Sequence, residues 1–256
     1  MTTSTPWPYP RWLAHRGAGH LAPENTLAAF RQGAAHGYRM FECDVKLSSD
    51  GVPFLLHDTT LARTTNAANH LSANASAIAG EHHWATLAQL DAGSWHSRQY
   101  AGEPLPTLDN IAAWCLANQA LLNIEIKPTP GTERETGEAI ARRAAQLWQG
   151  SATAPLLTSF DTAALAGARS VAPALPRALL LEALPPDWLG TAHALGCVAV
   201  VCEHGLWNGA SVAQAKGAGL RCLSYTVNDA WAVQRLWDLG TDGLITDRVD
   251  TFSPAV

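Results

Sequence analysis

The chain has 256 residues, of which 47% are hydrophobic and 15% are charged, a balance typical of a folded globular protein that excludes an intrinsically disordered one. Its formal net charge of −5 gives no basic field for nucleic acid or anionic lipid, so a positive site for an anionic substrate must be local. The length fits one or two domains, and an α/β barrel of about 250 residues is a single-domain solution.

The cysteines and the N-terminal sequence indicate the cellular compartment of the protein. The five cysteines form no Cys-x-x-Cys pair and lie in apolar runs, which is typical of buried free thiols in a reducing environment. The N-terminus has neither the basic nor the apolar segment of a signal peptide, and no apolar run reaches the roughly 18 residues of a membrane span. We therefore expect a cytoplasmic protein without membrane insertion.

The first predicted strand and helix lie near the N-terminus. Residues 12–15 form a short apolar run that ends before Gly17, and they read as the first strand. A helix follows, with Leu27 and Phe30 at helical spacing. Asn25 is the expected N-cap of this helix, and Gly37 suits its C-terminus.

The second predicted strand, residues 41–45, organises the rest of the chain. Its side chains alternate, so Glu42 and Asp44 point to the same face. Two adjacent carboxylates repel each other, and a divalent cation is the simplest remedy because hard cations bind carboxylate oxygens. The pattern recurs in residues 123–127, where Glu125 and Lys127 share a face. We predict that Glu42, Asp44 and Glu125 hold one metal ion.

A hairpin follows the second strand. Ser48-Ser49-Asp50-Gly51 is a turn signal, after which residues 53–57 run back along the second strand. Counting outward from a turn near Asp50-Gly51 places His57 opposite Asp44. This register predicts a histidine beside the carboxylates.

The remaining chain predicts the fold. Residues 58–106 have weak periodicity and read as an insertion, after which strands and helices alternate to the end. With the first two strands the main strands number eight, and their near-continuous apolar character suits a buried parallel sheet. We predict a single-domain α/β protein, a TIM-type (β/α)8 barrel over residues 1–256 with an insertion at about 58–106 after the second strand. An open doubly wound sheet is the alternative, but no Gly-x-Gly-x-x-Gly opens its first turn. The later strands are expected at residues 121–126, 156–160, 177–181, 197–201, 220–227 and 243–246.

Polar residues cluster at the carboxyl ends of the first three barrel strands, where barrel enzymes place their sites. Phosphodiester cleavage needs a base, an acid and positive charge for the phosphoryl oxygens, and a metal can polarise the phosphate. The residues that meet these needs are His15, Arg16, Glu42, Asp44, His57, Glu125 and Lys127.

These motifs together resemble the glycerophosphodiester phosphodiesterase family, and most closely its cytoplasmic bacterial members. The resemblance extends from Trp12 to Asp247. It is carried by His15-Arg16-Gly17, Pro23-Glu24-Asn25-Thr26, Glu42-x-Asp44, His57-Asp58, Asn123-Ile124-Glu125-Ile126-Lys127 and Ile245-Thr246-Asp247.

The resemblance implies hydrolysis of glycerophosphodiesters to an alcohol and sn-glycerol 3-phosphate in a barrel with an inserted subdomain. It also implies one bound divalent cation, Ca²⁺ or Mg²⁺, with which oxygen-only ligands agree. Tyr225 stands where the family often has tryptophan and keeps an aromatic wall for the substrate. The implied roles are metal binding by Glu42, Asp44 and Glu125, acid/base catalysis by His15 and His57, and substrate binding by Arg16, Lys127 and Tyr225.

Two other functions are possible for a barrel of this kind. A related barrel phosphodiesterase or lyase for phosphoinositide or sphingolipid head groups is disfavoured by the three carboxylates, because bacterial inositol-lipid lyases need no metal triad. A non-catalytic barrel is disfavoured because no histidine or carboxylate of the motif is missing. The small-molecule head group, the ion, the assignment of acid and base between the histidines, and the oligomeric state stay open.

Other polar residues have ordinary explanations. Glu24 and Asp58 are expected to orient site residues, whereas His82-His83 is expected in an exposed loop. Glu182 and Asp247 end strands at the active rim, where capping is favoured over substrate contact. Trp95, Trp188 and Trp207 are weak pocket candidates. Helix capping is expected of Asn25, Thr107, Thr132, Asp161 and Asp229.

Overall fold

The strands form a closed parallel barrel in the computed structural model, which describes residues 7–252 and 254. The order around the barrel is β1-β9-β8-β7-β6-β5-β4-β2, and β2 pairs in turn with β1, which closes the ring. The predicted (β/α)8 barrel is confirmed, and closure excludes an open doubly wound sheet. The bounds are β1 (Trp12–Ala14), β2 (Met40–Leu47), β3 (Pro53–Leu55), β4 (Leu121–Ile126), β5 (Leu156–Ser159), β6 (Arg177–Leu181), β7 (Ala199–Glu203), β8 (Arg221–Tyr225) and β9 (Gly243–Thr246).

Helices separate successive barrel strands, as the alternation of the sequence predicts. Two of the expected caps are seen: Thr107 forms a capping box with Asn110, and the Asp161 side chain accepts a bond from the Ala164 amide. Thr132 and Asp229 occupy cap positions, but their side chains accept no capping bond. The helices are α1 (Leu27–Ala35), α2 (Ala67–His70), α3 (Trp84–Leu87), α4 (Leu108–Ala117), α5 (Glu133–Leu147), α6 (Thr162–Val171), α7 (Trp188–Ala194), α8 (Gly209–Gly217) and α9 (Ala230–Leu239).

The alternation of β2 decides which side chains enter the barrel. Phe41, Cys43 and Val45 pack in the layer between the strands and the helices. Met40 belongs to the cluster that fills the barrel interior, together with residues such as Leu13. Because side chains two apart share a face, Glu42 and Asp44 follow Met40 along the interior toward the carboxyl end of the strand.

The insertion packs around a small apolar cluster of its own. Phe54 of β3 lies in this cluster with Leu61, Leu87 and Leu90 of residues 58–106. Short helical segments and isolated bridges supply its secondary structure. The cluster ties the insertion to the hairpin beside the barrel mouth.

The hairpin register differs by one residue from the prediction. Val45 aligns with Leu55, and the Leu56 amide donates to the Asp44 carbonyl, so the residue opposite Asp44 is Leu56. The turn is centred on Asp50, because the Ser48 amide donates to the Val52 carbonyl. His57 therefore lies one residue beyond the predicted pair.

In residues 7–252 and 254, no helix is both long enough and apolar enough to cross a membrane.

Candidate active site

Three carboxylates meet at the carboxyl ends of β2 and β4. The two strands pair in parallel with Asp44 opposite Glu125 and with Glu42 opposite Asn123. One carboxylate oxygen from each of Glu42, Asp44 and Glu125 lies within 4.8 Å of the other two. The first two residues are only 2% and 1% exposed. The structure thus brings together the three carboxylates that the sequence groups as a metal site.

The chemistry of this triad fits a bound cation. Glu42 Oε1 is buried and accepts no hydrogen bond within the described part of the chain, whereas the buried Glu125 Oε1 lies 3.1 Å from Lys127 Nζ. Burial and the neighbouring carboxylates raise the pKa of Glu42 well above its usual value, and burial with Asp44 raises the pKa of Glu125 to about 7. An oxygen-only donor set with excess negative charge can hold a hard divalent cation.

The loop after β1 carries His15 and Arg16 into the same site. The Arg16 amide donates to Glu42 Oε2 over 3.0 Å, and its Nε lies 3.3 Å from Asp44 Oδ2. Arg16 has a left-handed φ of 49° and Gly17 has φ 99°. A Cβ at Gly17 would lie 2.7 Å from the Ala29 Cβ, so glycine permits this close turn.

Asn25 belongs to the site and does not cap α1. Thr26 is the N-cap, because its side chain accepts a bond from the Ala29 amide. Asn25 has φ 59°, donates from Nδ2 to Asp44 Oδ2 over 2.8 Å and accepts from the Asp44 amide over 3.0 Å. The prediction of a cap was wrong because Thr26, the next residue, meets the same requirement. The left-handed backbone turns the Asn25 amide toward β2.

His15 is held by a carboxylate on the far side of its ring. Its Nδ1 lies 2.6 Å from Asp247 Oδ1, and Asn228 Nδ2 donates to Asp247 Oδ2 over 2.9 Å. Burial raises the pKa of Asp247, but the bonds from His15 and Asn228 and the nearby imidazoles together outweigh it and bring the pKa to about 2. Asp247 thus orients His15 instead of capping a helix. His15 Nε2 faces the triad, 3.8 Å from Glu42 Oε2.

His57 has a carboxylate partner of its own. Its Nδ1 lies 2.8 Å from Asp58 Oδ1. Burial and Arg16 lower the pKa of His57 below its usual value, more than Asp44 and Asp58 raise it. The expectation that Asp58 and Glu24 orient site residues is confirmed, since Glu24 accepts a bond of 2.9 Å from Arg16 Nη1.

Positive side chains and an open cavity adjoin the triad. Lys127 Nζ lies 3.1 Å from Glu125 Oε1. Lys46, which the sequence analysis did not single out, is 2% exposed, and burial with the nearby Lys127 lowers its pKa to about 8. A cavity of about 500 Å³ is lined by both lysines, by His57 and by Phe160. This cavity is large enough for a small organic phosphate.

Tyr225 ends β8 on the same rim. Its ring meets Phe160 edge-on with centroids 5.6 Å apart, and its hydroxyl donates to the Leu181 carbonyl over 3.2 Å. Through Phe160, Tyr225 adjoins the cavity.

Several weak candidates lie elsewhere. Trp188 and Trp207 are buried in the layer between strands and helices, so neither reaches the cavity. The Trp95 indole donates to the Ala92 carbonyl within the insertion. Glu182 directly follows β6 and is exposed. Of the two histidines predicted in an exposed loop, His83 has a side chain that is 73% exposed, whereas His82 is half-buried with its Nε2 2.8 Å from the Ser76 carbonyl.

Comparison with known proteins agrees with this geometry. A phosphodiesterase from Oleispira antarctica, whose structure was determined in complex with the product sn-glycerol-3-phosphate, superposes with a TM-score of 0.83 at 32% identity over 93% of each chain. A glycerophosphodiester phosphodiesterase of Caldanaerobacter subterraneus is 30% identical over 247 residues, 93% of this chain and 94% of that protein. The glycerophosphoinositol inositolphosphodiesterase of Mus musculus is 51% identical over 88 residues, which span 34% of this chain and 16% of that protein.

A family profile also matches most of the chain. The sequence profile of the glycerophosphoryl diester phosphodiesterase family matches residues 15–251, from the first site histidine to beyond β9. The match spans every barrel strand after β1, the insertion and every residue of the triad. The chain therefore belongs to the glycerophosphoryl diester phosphodiesterase family, a family of phosphoric diester hydrolases.

Proposed function

We propose that this chain hydrolyses glycerophosphodiesters to an alcohol and sn-glycerol 3-phosphate, with a divalent cation and two histidines. The observation that carries the proposal is the juxtaposition of the Glu42, Asp44 and Glu125 carboxylates, whose oxygens lie within 4.8 Å of one another, with two carboxylate-anchored imidazoles on one rim. Family membership supports the reaction class.

Glu42, Asp44 and Glu125 would hold the cation, Ca²⁺ or Mg²⁺. When bound, such an ion polarises the phosphoryl oxygens and lowers the pKa of a nearby hydroxyl. The support for this assignment is the donor set itself: Glu42 Oε1 is buried without a hydrogen bond, and burial together with the neighbouring carboxylates raises the pKa of Glu42 and of Glu125.

His15 and His57 serve as the general acid/base pair. Each ring binds a carboxylate through Nδ1, so Nε2 is the nitrogen that holds or takes a proton. One ring accepts the proton of the neighbouring glycerol hydroxyl as that oxygen attacks phosphorus, and the other donates a proton to the departing alcohol oxygen. Water then opens the cyclic phosphate, with the two rings exchanging roles.

Substrate binding is assigned to Arg16, Lys127 and Tyr225. Arg16 and Lys127 border the triad from two sides and supply positive charge for the phosphoryl oxygens. Tyr225 and its neighbour Phe160 offer aromatic surface to the glycerol or the head group.

The experiment that tests the proposal measures glycerol 3-phosphate release from glycerophosphocholine, glycerophosphoethanolamine, glycerophosphoglycerol and glycerophosphoinositol. Each reaction is run as isolated, with EDTA, and with Ca²⁺ or Mg²⁺ added back. We expect EDTA to abolish release and a divalent cation to restore it. Full turnover in EDTA would contradict the metal requirement, and no turnover of any substrate would contradict the function.

The attack by the glycerol hydroxyl has a separate test. A glycerophosphodiester analogue without the hydroxyl next to the phosphate should react at least about 100-fold more slowly, because no intramolecular nucleophile remains. Turnover equal to that of the parent substrate would reject the cyclic step.

Because one relative is named for glycerophosphoinositol, both glycerol 3-phosphate and free glycerol are measured for that substrate.

Residues 1–256 are proposed to act as one barrel domain with its insertion at about 58–106, in the cytoplasm. All five cysteines are buried and unpaired among the described residues, which suits a reducing compartment. Cell fractionation of the tagged protein tests the location.

A further inference from the structure

Arg63 of the insertion contacts both carboxylates that orient the site residues. Its Nε and Nη2 donate to the two oxygens of Asp58 over 2.7 and 2.8 Å. Its Nη1 and Nη2 donate to the two oxygens of Glu24, both over 2.8 Å. A single guanidinium therefore bridges a residue of the insertion and a residue of the loop before α1, 39 positions apart.

We propose that Arg63 is a positioning residue for the reaction, which fixes the His57 ring through Asp58 and the Arg16 guanidinium through Glu24. The inference rests on the proposed function, because it assigns Arg63 to the assembly of that same site. Arg63 itself acts only through the two carboxylates.

The shared oxygens make this connection. Asp58 Oδ1 accepts from both His57 Nδ1 and Arg63 Nη2, each over 2.8 Å. Glu24 Oε1 accepts from Arg16 Nη1 over 2.9 Å and from Arg63 Nη2 over 2.8 Å. Without Arg63, Asp58 would keep its contact with His57, and Glu24 would keep its bond from Arg16. Each carboxylate would lose the bonds from Arg63 that set its own rotamer.

The contacts of Arg63 restrain their partners more strongly than an ordinary surface ion pair does. Exposed pairs contribute little, but paired bonds to a planar guanidinium add directional restraint. The side chains of Glu24 and Asp58 are 13% and 25% exposed, although that of Arg63 is 44% exposed. The hydrogen bonds that Asp58 accepts from Arg63 and from His57 hold its pKa well below the usual value. The negative charge of Asp58 therefore persists at neutral pH.

The test substitutes Arg63→Gln and compares it with Arg98→Gln. Arg98 is an exposed arginine of the same insertion whose side chain makes no hydrogen bond or ion pair in the described part of the chain. We expect Arg63→Gln to lower kcat by about 10- to 100-fold, because a displacement of about 1 Å at a reacting group can cost that much. Arg98→Gln should keep kcat within about 2-fold of the wild type, since surface changes away from such contacts have small effects.

Two further variants separate positioning from folding. Arg63→Lys should recover only part of the loss, because one ammonium cannot match the planar fork on two carboxylates. In an Asp58→Asn background, Arg63→Gln should cost less than it does alone, because the route through Asp58 is already broken. All kcat values are taken well below the melting temperature of each variant.

If Arg63→Gln has a wild-type kcat and a lowered melting temperature, the inference is overturned. Arg63 would then stabilise the fold without positioning the site residues. A crystal structure of Arg63→Gln gives a readout that does not require turnover. We expect the His57 ring or the Arg16 guanidinium to be displaced, and unchanged positions of both would also overturn the inference. Failure of the wild type to release product from any glycerophosphodiester would refute the proposed function, and the crystal structure would still decide the role of Arg63.

Discussion

The barrel and the insertion each hold one of the two imidazoles, and they do so by different means. The His15 amide donates to the Thr246 carbonyl of β9, and its carboxylate partner Asp247 directly follows that strand. His57 follows β3, which lies outside the ring of eight strands, and its partner Asp58 is held by Arg63. Backbone pairing reaches both imidazoles, since the Leu56 amide next to His57 also donates to the Asp44 carbonyl. The carboxylate partners differ, because Asp247 directly follows a barrel strand whereas Asp58 depends on side-chain bridges from Arg63.

Exposure follows the same division. The Asp247 side chain is 15% exposed, against 25% for Asp58 and 44% for Arg63. Asp247 also makes two bonds with Asn228: its carboxylate accepts from Nδ2, and its amide donates to Oδ1. Because side-chain bridges at the surface are weaker than a strand ladder, we expect the His57 half to loosen more easily than the His15 half.

The largest expected effect comes from removing either imidazole. His15→Ala and His57→Ala should each lower kcat by about 10²- to 10⁴-fold, the usual contribution of a positioned acid or base. Calorimetric titration should show wild-type cation affinity in His57→Ala, because His57 is not one of the three ligands. A loss of only a few-fold in either variant would show that one half of the site is dispensable.

A pair of neighbouring residues tests the barrel half. Asn25→Gly removes both bonds to Asp44 and keeps the left-handed backbone, so we expect cation affinity to fall by about 10- to 100-fold, as for other partners of metal ligands. Thr26→Ala removes the cap of α1 and should cost about 1 kcal/mol of unfolding free energy with unchanged cation affinity. Equal affinities in the two variants would refute the role of Asn25.

The two carboxylate partners should differ in effect. Asp247→Asn should lower kcat by at least about 10-fold, because a buried carboxylate both orients an imidazole and stabilises its charged form. Asp58→Asn should cost less, because Arg63 already neutralises much of the Asp58 charge. A greater loss in Asp58→Asn would reverse the comparison between barrel and insertion.

The smallest effect expected is a pH-dependent stabilisation by the cation. The folded-state pKa of Glu125, about 7, lies above the usual 4.5, so its protonation stabilises the metal-free protein fully below pH 4.5. That stabilisation is lost as pH rises through 7, where a cation can replace the proton. Added Ca²⁺ or Mg²⁺ should therefore raise the melting temperature more at pH 8 than at pH 5, by about 5 °C.

A calorimetric scan at both pH values measures this difference. Glu125→Gln supplies the control, because it cannot lose a proton and should show a weak cation effect at both pH values. A cation effect in the wild type that is independent of pH would contradict the assignment of Glu125 as a ligand.

The barrel and the pair Glu42 and Asp44 were accessible from sequence because both depend on short-range patterns, and Glu125 was added because the same alternation recurs in residues 123–127. Apolar runs and helix signals recur along the chain, and the alternation of β2 sets Glu42 and Asp44 on one face whatever lies elsewhere. The hairpin register was wrong by one residue because it depends on where the turn is centred, and Ser48 pairs with Val52.

The anchoring residues were not accessible in the same way. Asp247 lies 232 positions from His15, and Arg63 lies 39 positions from Glu24, so no local pattern joins them. Asn25 has a left-handed backbone that its neighbours impose, and the sequence shows only a residue suited to a cap. Tertiary packing, not periodicity, decides such contacts.

The most direct test of the site is anomalous diffraction from a crystal of this protein soaked in Ca²⁺ or in Mn²⁺ as a substitute for Mg²⁺. The proposed site predicts one strong peak bonded to an oxygen of each of Glu42, Asp44 and Glu125, with both imidazoles beside it. A peak at other residues, or no peak at the triad under conditions in which the cation restores activity, would contradict it.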